Sequence, residues 1–171
     1  MACSRTTSRV TSREYPSFPR EEVLAAWLAA GKDIAVVSHE SALDLLDLSD
    51  VIPDVLHPTV PRSRRYLPAP PGVKIRTTER PLRPGDRIIR SGMAITSAIR
   101  TILDAAEAGT APEQIELAVA PSVERGQVLP DQLRRDAAER SRRVAALING
   151  ALWRIGAYGT RLLPVTGSPR D

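Results

Sequence analysis

Three adjacent residues, Ser38, His39 and Glu40, have the side-chain types of a nucleophilic triad. In such a triad a serine hydroxyl attacks the substrate, an imidazole takes up its proton, and a carboxylate orients the imidazole. Adjacent side chains at the start of a helix point in diverging directions, so we do not expect these residues to form that relay. We interpret Ser38 instead as the N-cap of a helix, with Glu40 in the first turn, where an acid interacts favourably with the helix dipole.

The sequence offers too few ligands for a structural zinc site. Its histidines are His39 and His57, and its one cysteine, Cys3, lies in a polar N-terminal segment. Structural zinc is held by four cysteine or histidine side chains, so only a mixed site with carboxylate ligands stays open. The glycines are dispersed, and none follows a predicted strand in the order of a phosphate-binding loop. We therefore expect no catalytic residue, no metal and no cofactor, and the single cysteine favours a reducing cytoplasm.

A second group of polar residues, Arg100, Thr101 and Asp104, lies on a helix predicted to begin at Thr96 or Ser97. These residues could form a contact surface for a partner protein. Alternatively, they form a local network in which Arg100 and Asp104 make a weak ion pair four residues apart. The spacing favours the local network.

Two sets of basic residues are candidate binding surfaces for nucleic acid or a partner. The first, on a proline-rich loop and adjoining predicted strands, consists of Arg62, Arg64, Arg65, Lys74, Arg76 and Arg90. The second, around the junction of two predicted helices, consists of Arg134, Arg135, Arg142 and Arg143, with Arg140 between them. Guanidinium groups form paired hydrogen bonds with phosphate, but Tyr66 is the only aromatic residue near the first set, so base stacking is poorly supported.

Charge is unevenly distributed along the chain. Residues 21–54 contain one lysine and eight acids, a net charge of −7, whereas residues 55–100 contain ten basic residues and two acids, a net charge of +8. Such segregation can create a surface potential that attracts a charged partner. The alternatives are a solvated basic surface, or a basic segment that pairs with the acidic segment inside the fold.

Composition and length indicate one soluble globular domain. Of the 171 residues, 42% are hydrophobic and 26% charged, which is close to the average for such proteins. No stretch approaches the roughly 18 apolar residues of a membrane span, and the polar N-terminus is not typical of a signal peptide. We predict a disordered leader at 1–20, a folded domain at 21–154, and a flexible tail at 155–171.

Hydrophobic periodicity predicts the helices within this domain. Helices are expected from Glu21 to Gly31, after Ser38, and from Thr96 or Ser97 to Gly109. A capping-box pattern, Thr110-Ala-Pro-Glu113, predicts the start of the next helix, which Pro121 should break or kink. Two further helices are predicted at Pro130 to Arg140 and Val144 to Arg154.

Three extended segments are predicted between the helices. Residues 51–60 contain two prolines, which indicate an edge strand at most. Strands are also predicted at Val73 to Thr78 and Asp86 to Arg90, with Pro84 and Gly85 marking the turn between them. Together these elements predict an α/β (α+β) fold: a single small mixed domain with helices packed on a short, mostly antiparallel sheet and a helical C-terminal part.

Several segments, taken in order, resemble the C-terminal domain of AbiEi-family antitoxins of type IV toxin–antitoxin systems. The resemblance covers about four fifths of the chain. Its segments are YPSFPREEVLAAWLAAG from Tyr15, SHESALDLLDLSD at 38–50, IPDVLHPTVPRSRR at 52–65, PPGVKIRTTERPL at 70–82, GMAITSAIRTILDAAEAG at 92–109, and LAVAPSVERGQVLPDQLRRDAAERSRRVAALINGAL at 117–152. The positions that we assign to the family motif are Ser38, His39, Glu40, Ser41, Thr96, Arg100, Thr101 and Asp104.

This resemblance implies a non-enzymatic cytoplasmic regulator. Its partner would be a nucleotidyltransferase-like toxin, which it antagonises without necessarily forming a stable complex, and it would have no membrane partner. Family members often carry an N-terminal winged helix-turn-helix and repress their own operon. The roughly twenty residues before the first helix are too few for a winged helix, and Ala94 and Ala98 stand where the family tends to have proline.

Two other functions are consistent with the residues. The chain could bind operator DNA as a repressor through its arginine-rich surface, in place of the winged helix. It could also be a nuclease-like enzyme, although the sequence shows no identifiable set of metal-binding carboxylates.

Overall fold

The structure, a computed structural model, describes residues 19–78 and 80–159. Its helices are α1 Pro19–Ala30, α2 His39–Leu45, α3 Ala98–Ala108, α4 Pro112–Glu124, α5 Pro130–Ala138 and α6 Arg142–Gly159. Its strands are β1 Val36–Val37, β2 Pro58–Pro61, β3 Arg76–Thr78, β4 Arg87–Arg90 and β5 Met93–Thr96. Short 3-10 helices lie at Arg62–Arg64 and Pro84–Asp86. The predicted leader and most of the predicted tail fall outside the described residues.

The five strands form one mixed sheet in the order β3-β2-β1-β5-β4. The pairs β1–β2 and β4–β5 are antiparallel, whereas β1–β5 and β2–β3 are parallel. The small mixed α/β fold is therefore confirmed, with more parallel pairing than the mostly antiparallel sheet that we expected. The expected turn does not bring the strands beside it together, because β3 and β4 lie at opposite edges of the sheet.

Strand β2 is an interior strand, so the prediction of an edge strand at most for 51–60 is wrong. It pairs with β1 on one side and with β3 on the other. Its prolines, Pro58 and Pro61, are the first and last residues of the strand. A proline at the first residue of a strand is tolerated, and here only Thr59 and Val60 lie between the two prolines.

Strand β5, which lies beside β1 in the sheet, was not predicted from the sequence. The strand consists of Met93–Thr96, and all four residues are buried. A two-residue loop, Ser91 and Gly92, joins β4 to β5, and both residues have positive φ, of 50° and 77°. Two consecutive residues with positive φ form the type of turn that matches the twist of a hairpin.

The predicted helices are present, with three changes at their ends. Gly109 ends α3 in the left-handed conformation, with φ of 96°, as predicted. Helix α4 continues for three residues beyond Pro121 and is not broken there. Its N-cap is Ala111, which makes no side-chain cap bond, so the capping box at Thr110 is wrong, while Pro112 occupies the first turn as expected. Helix α6 extends past Arg154 to Gly159, into the predicted tail.

Helix α3 has the most helical neighbours, because it packs against α2, α4, α5 and α6. The core is one cluster of mainly aliphatic side chains that includes residues from Val23 in α1 to Leu152 in α6. Trp27 anchors α1 to the sheet by donating a hydrogen bond from Nε1 to the Ala35 carbonyl, at 2.7 Å. This arrangement places the first turns of α3 beside the ends of β1 and β5, where the polar residues described next come together.

Candidate functional site

The end of β1 and the start of α2 hold Ser38 and His39 in direct contact. Ser38 Oγ lies 2.7 Å from His39 Nδ1. His39 has a φ of 55°, in the left-handed region that few non-glycine residues adopt. Our expectation that these adjacent side chains diverge is wrong, because it assumed ordinary helical backbone at His39.

Ser38 occupies the N-cap position of α2 but does not cap the helix through its side chain. Its hydroxyl donates to the His57 carbonyl at 3.0 Å and lies 2.6 Å from Thr59 Oγ1. Ser41, one turn further, accepts a hydrogen bond from the His57 amide at 3.0 Å. Both serines are buried, so they attach α2 to the segment that leads into β2. The predicted capping role of the Ser38 side chain is wrong.

Glu40 has its hydrogen-bonding partner on another element. Its Oε1 accepts a hydrogen bond from Thr110 Oγ1, at 2.8 Å. This contact joins the start of α2 to the loop between α3 and α4. The serine and the histidine are therefore together, but the carboxylate that a triad needs is bound to Thr110.

Arg100 is the most highly connected side chain of α3. Its Nε lies 3.0 and 2.8 Å from the two carboxylate oxygens of Asp104, and its Nη1 lies 3.2 Å from Asp86. Its Nη2 donates to Thr78 Oγ1 at 2.9 Å and to the Arg80 carbonyl at 3.1 Å. The predicted pair between Arg100 and Asp104 is confirmed, but it is buried and extends beyond the helix to the region around β3.

Two buried threonines join the end of β5 to the first turn of α3. Their hydroxyl oxygens, Thr96 Oγ1 and Thr101 Oγ1, lie 2.6 Å apart. Thr101 also donates to the Thr96 carbonyl at 3.1 Å, and Thr96 to the Val37 carbonyl at 3.4 Å. These contacts fix the position of α3 relative to β1 and β5.

A group of ion pairs continues along α3 toward α5. Arg140 Nη1 lies 2.9 Å from Asp104 and 2.5 Å from Glu107, and Arg80 Nη1 lies 3.0 Å from Glu107. Although burial acts against ionisation of Glu107, its hydrogen bonds with Arg140 and Arg80 hold its pKa below the usual value. Arg80 and Glu107 were not among the predicted site residues, and Arg140 was predicted only as part of a basic helical surface. Their spacing along the chain gives no signal of this cluster.

These residues surround a cavity of about 420 Å³, which we call the Arg76 cavity. Its lining consists of His39, Thr59, Arg76, Thr77, Thr78, Arg80, Asp104, Glu107, Ala108 and Arg140. Strand β2 contributes Thr59, and β3 contributes Arg76, Thr77 and Thr78. Thr59 and Arg76 are direct neighbours in the sheet. The cavity thus combines residues from α2, α3, β2, β3 and the segment after α5.

Both histidines are strongly biased toward the neutral form. Burial, followed by the charge of Arg76, lowers the pKa of His39 to about 3 and the pKa of His57 to about 4. Their ring centroids are 5.8 Å apart. His57 is the more shielded from solvent, with 4% of its surface exposed, and its Nδ1 has no hydrogen-bond partner. Near neutral pH the cavity therefore carries the charges of its arginines and acids, and not of its histidines.

The first basic set does not form one surface. Arg62, Arg64 and Arg65 are exposed on the 3-10 turn after β2, and the guanidinium of Arg65 lies 4.3 Å from the centre of the Tyr66 ring. Lys74 and Arg76 are on or next to β3. Arg90 belongs to β4 at the opposite edge of the sheet, where it pairs with Asp47 at 2.8 Å. The prediction that Arg90 adjoins the others is wrong.

The second basic set lies on the facing ends of α5 and α6. Arg134 pairs with Asp131 at 2.8 Å, one turn earlier on α5. Arg143 donates from Nη2 to the carbonyls of Ala106 and Glu107, at 2.8 and 3.0 Å, and so binds the last turn of α3. Arg135 and Arg142 are exposed. This set is therefore partly structural.

Neither a metal-binding cluster nor a membrane-spanning helix is present in the described residues. Among residues 19–78 and 80–159, no three histidine, cysteine, aspartate or glutamate side chains are placed to hold a metal ion together. In the same part of the chain, no helix combines the length and the apolar composition needed to cross a membrane.

No protein-family model matches the sequence, and no curated protein is significantly similar to it.

Proposed function

We propose that this chain is an AbiEi-like antitoxin that acts in the cytoplasm and counteracts a nucleotidyltransferase-like toxin of a type IV system. One observation supports it: His39 and Asp104, two of the residues that the resemblance assigns to the family motif, are distant in sequence and line the same cavity. His39 borders the cavity from α2, with Ser38 in contact behind it, and Asp104 borders it from α3. Residues that share a motif and converge in space are typical of a functional surface.

The chemistry of the cavity favours binding over catalysis. Ser38 is buried with no exposed surface, so a substrate cannot reach its hydroxyl. His39 is a poor general base near neutral pH because burial and Arg76 lower its pKa to about 3. Asp104 and Glu107 are both held by arginines. We therefore propose a protein without enzymatic activity of its own.

Co-expression with the toxin encoded beside it tests the antitoxin proposal. We expect the chain to restore growth when the toxin is induced, and an inactivated toxin provides the control for non-specific growth effects. Arg80→Gln, at the cavity, and Arg134→Gln, on the exposed side of α5, remove the same charge and indicate which surface acts. Failure of the folded, well-expressed wild-type chain to restore growth would overturn the proposal.

A separate experiment asks whether antagonism requires a stable complex between the chain and the toxin. Co-purification of toxin and chain from the rescued cells should recover little toxin if the two act without stable contact. Rescue together with a stoichiometric complex would retain the antitoxin function and replace the type IV mode by direct inhibition.

A second candidate function is repression of its own operon through the loop after β2. The observation that favours it is the exposure of Arg62, Arg64 and Arg65 on a 3-10 turn between proline-containing segments. Exposed guanidinium groups suit phosphate oxygens, and binding that depends on them weakens as salt rises.

A salt titration with operator and random duplex DNA distinguishes this candidate from the antitoxin. In Arg64→Gln/Arg65→Gln, the slope of log affinity against log salt should fall by about 0.9 for each DNA phosphate that the variant no longer neutralises. Arg135→Gln/Arg142→Gln, with the same loss of charge on the helices, should leave the slope nearly unchanged. Equal affinity for operator and random DNA would exclude a repressor.

A further inference from the structure

One guanidinium of the Arg76 cavity, that of Arg76, has no acidic partner among the residues that the structure describes. The other charged residues of the cavity form ion pairs within the site: Arg80 with Glu107, and Arg140 with both Glu107 and Asp104. The Arg76 side chain forms no hydrogen bond or ion pair with any residue among 19–78 and 80–159 that the structure describes. With neutral histidines, the lining carries three arginines and two acids, a net charge of +1.

The excess positive charge of the cavity belongs to a partly buried side chain, that of Arg76. Arg76 lies at the start of β3, beside Thr59. Its Nε is buried and has no hydrogen-bond partner among the described residues. A buried donor without an acceptor is unfavourable, and native structures leave few of them. An arginine fork is the protein group best matched to an oxyanion, since it can donate two parallel hydrogen bonds.

The size of the cavity limits the ligand. A volume of about 420 Å³ lies within the range of small-molecule sites, which is roughly 300–1,000 Å³. A single phosphate would leave most of this space unfilled. Thr59 and Thr77 also line the cavity and bring hydroxyl groups, which suit both phosphate and sugar oxygens.

We propose that the Arg76 cavity binds a small phosphate monoester, with the Arg76 guanidinium as the principal contact of the phosphate and the threonines 59 and 77 as polar neighbours. This inference rests on the cavity itself and not on the antitoxin function, so either can fail alone. The carboxylates of the cavity do not oppose such a ligand strongly, because each is already paired with arginine.

The two imidazoles provide a built-in reporter of binding. Arg76 is the largest charged contribution to the lowered pKa of both His39 and His57. Around His39, the charges of His57, Arg100 and Arg140 act in the same direction. Around His57, Lys74 acts in the same direction and Glu40 against it. An anion on Arg76 offsets its charge and should therefore raise the pKa of both histidines.

The first test measures binding of sulfate, inorganic phosphate and adenosine monophosphate to the full chain by calorimetry. We expect the monoester to bind most tightly, and Arg76→Gln to weaken it about tenfold or more, since it removes a charged hydrogen-bond donor. Lys74→Gln is the matched control: it removes one positive charge two residues away, from an exposed side chain, and should weaken binding by less than about twofold.

Thermal unfolding of the variants separates loss of the site from loss of the fold. Arg76→Lys adds a second comparison, because it keeps the charge and loses the fork, and it should bind more weakly than the wild type. Equal affinity of the wild type and a folded Arg76→Gln variant for the monoester would overturn the proposal. So would the absence of binding to the wild type, or a preference for duplex DNA over the monoester.

The second test follows the histidine ring protons by NMR as the pH is lowered from neutral. Sulfate is the probe, because its charge does not change in this range. With sulfate bound, the His39 and His57 signals should begin to shift at higher pH than in the free protein. In Arg76→Gln the addition of sulfate should have no such effect. Identical titrations with and without saturating sulfate would contradict anion binding at Arg76.

Discussion

At the scale of single residues, the backbone of His39 brings its imidazole to Ser38. A φ of 55° places Nδ1 2.7 Å from Ser38 Oγ, a contact that a helical backbone at this position would not be expected to give. Left-handed backbone is costly for a residue with a β-carbon unless the surroundings hold it. Here the hydroxyl contacts of Ser38 with His57 and Thr59 provide that support.

Replacement of Arg100 by methionine should destabilise the fold strongly. The change removes the ion-pair partner of Asp86 and leaves Asp104 with Arg140 alone, in a region where 6% of the Arg100 side chain is exposed. Loss of one member of a buried ion pair costs about 3–5 kcal/mol. Urea unfolding of the full chain measures the change.

Arg134→Met is the matched control for this prediction. Arg134 also pairs with an aspartate on its own helix, but both side chains are largely exposed, so the loss should be about 0.5 kcal/mol or less. A similar free-energy change for the two variants would contradict a special role of the buried pair.

Stability should fall as the pH is lowered from about 6.5 toward 5. The folded-state pKa values of His39 and His57, about 3 and about 4, lie below the value of 6.5 in an unfolded chain. The unfolded state therefore takes up more protons in this window, and protonation favours unfolding. Each histidine contributes at most about 1.4 kcal/mol per pH unit.

Urea unfolding at several pH values checks this dependence. His39→Asn removes one titrating ring while keeping a residue that tolerates positive φ, so the dependence should become shallower. A free energy of unfolding that stays constant between pH 6.5 and 5 would rule out the lowered pKa values.

At the scale of elements, the two glycines Gly109 and Gly150 should respond in opposite ways to alanine. Neither has a heavy atom within 4 Å of the position of an added β-carbon, so packing does not decide the result. Gly109 ends α3 with φ of 96°, where alanine should cost about 1 kcal/mol. Gly150 lies inside α6, where alanine should gain about 0.5–1 kcal/mol. Thermal or urea unfolding gives both values, and changes of the same sign would contradict this assignment.

In the hairpin of β4 and β5, replacing an isoleucine by alanine should reduce the free energy of unfolding much more on β5 than on β4. Ile95 on β5 is fully buried, so Ile95→Ala should cost about 2–5 kcal/mol. Ile89 on β4 is 67% exposed, so Ile89→Ala should cost less than about 1 kcal/mol. Equilibrium unfolding in urea measures both. Comparable losses would mean that β5 does not lie at the centre of the sheet.

At the scale of the whole molecule, the acidic and basic segments are not simply matched to each other. Arg90 and Asp47 link the two segments. Arg80 and Arg100 of the basic segment pair instead with Glu107, Asp104 and Asp86, which lie outside residues 21–54. The arginines thus hold the sheet region against α3, and this internal use explains why the charge pattern alone overstates the free basic surface.

The slowest hydrogen exchange should map to α3 and β5. Helix α3 packs against four other helices, and β5 is paired on both sides. Amides in such elements open only with global unfolding, whereas those of edge elements open locally. Exchange followed by mass spectrometry should therefore show later exchange in α3 than in α5. Faster exchange in α3 would indicate that the molecule is not organised around it.

Local residue patterns predicted most of the helices, but they predicted only part of the candidate site. The apolar spacing between Ser97 and Gly109 predicted α3 because a helix repeats its buried face every three to four residues. The interior position of β2 and the strand β5 were missed because two prolines suggested an edge and four residues give too little periodicity. The resemblance to AbiEi-family antitoxins pointed to Ser38, Arg100 and Asp104, but not to Arg80, Glu107 or Arg140, which join them from other parts of the chain.

Local residue patterns were sufficient to predict the helices, the glycine that ends α3, the pair of Arg100 with Asp104, and the mixed α/β class. These features depend on residues within a few positions of each other. Only the folded chain revealed the strand order, the left-handed backbone at His39, and the lack of an acidic partner for Arg76 among the described residues. They depend on which distant segments meet and how deeply they are buried, because both the pairing of a strand and the charge of a buried group are set by neighbours that lie far away along the chain.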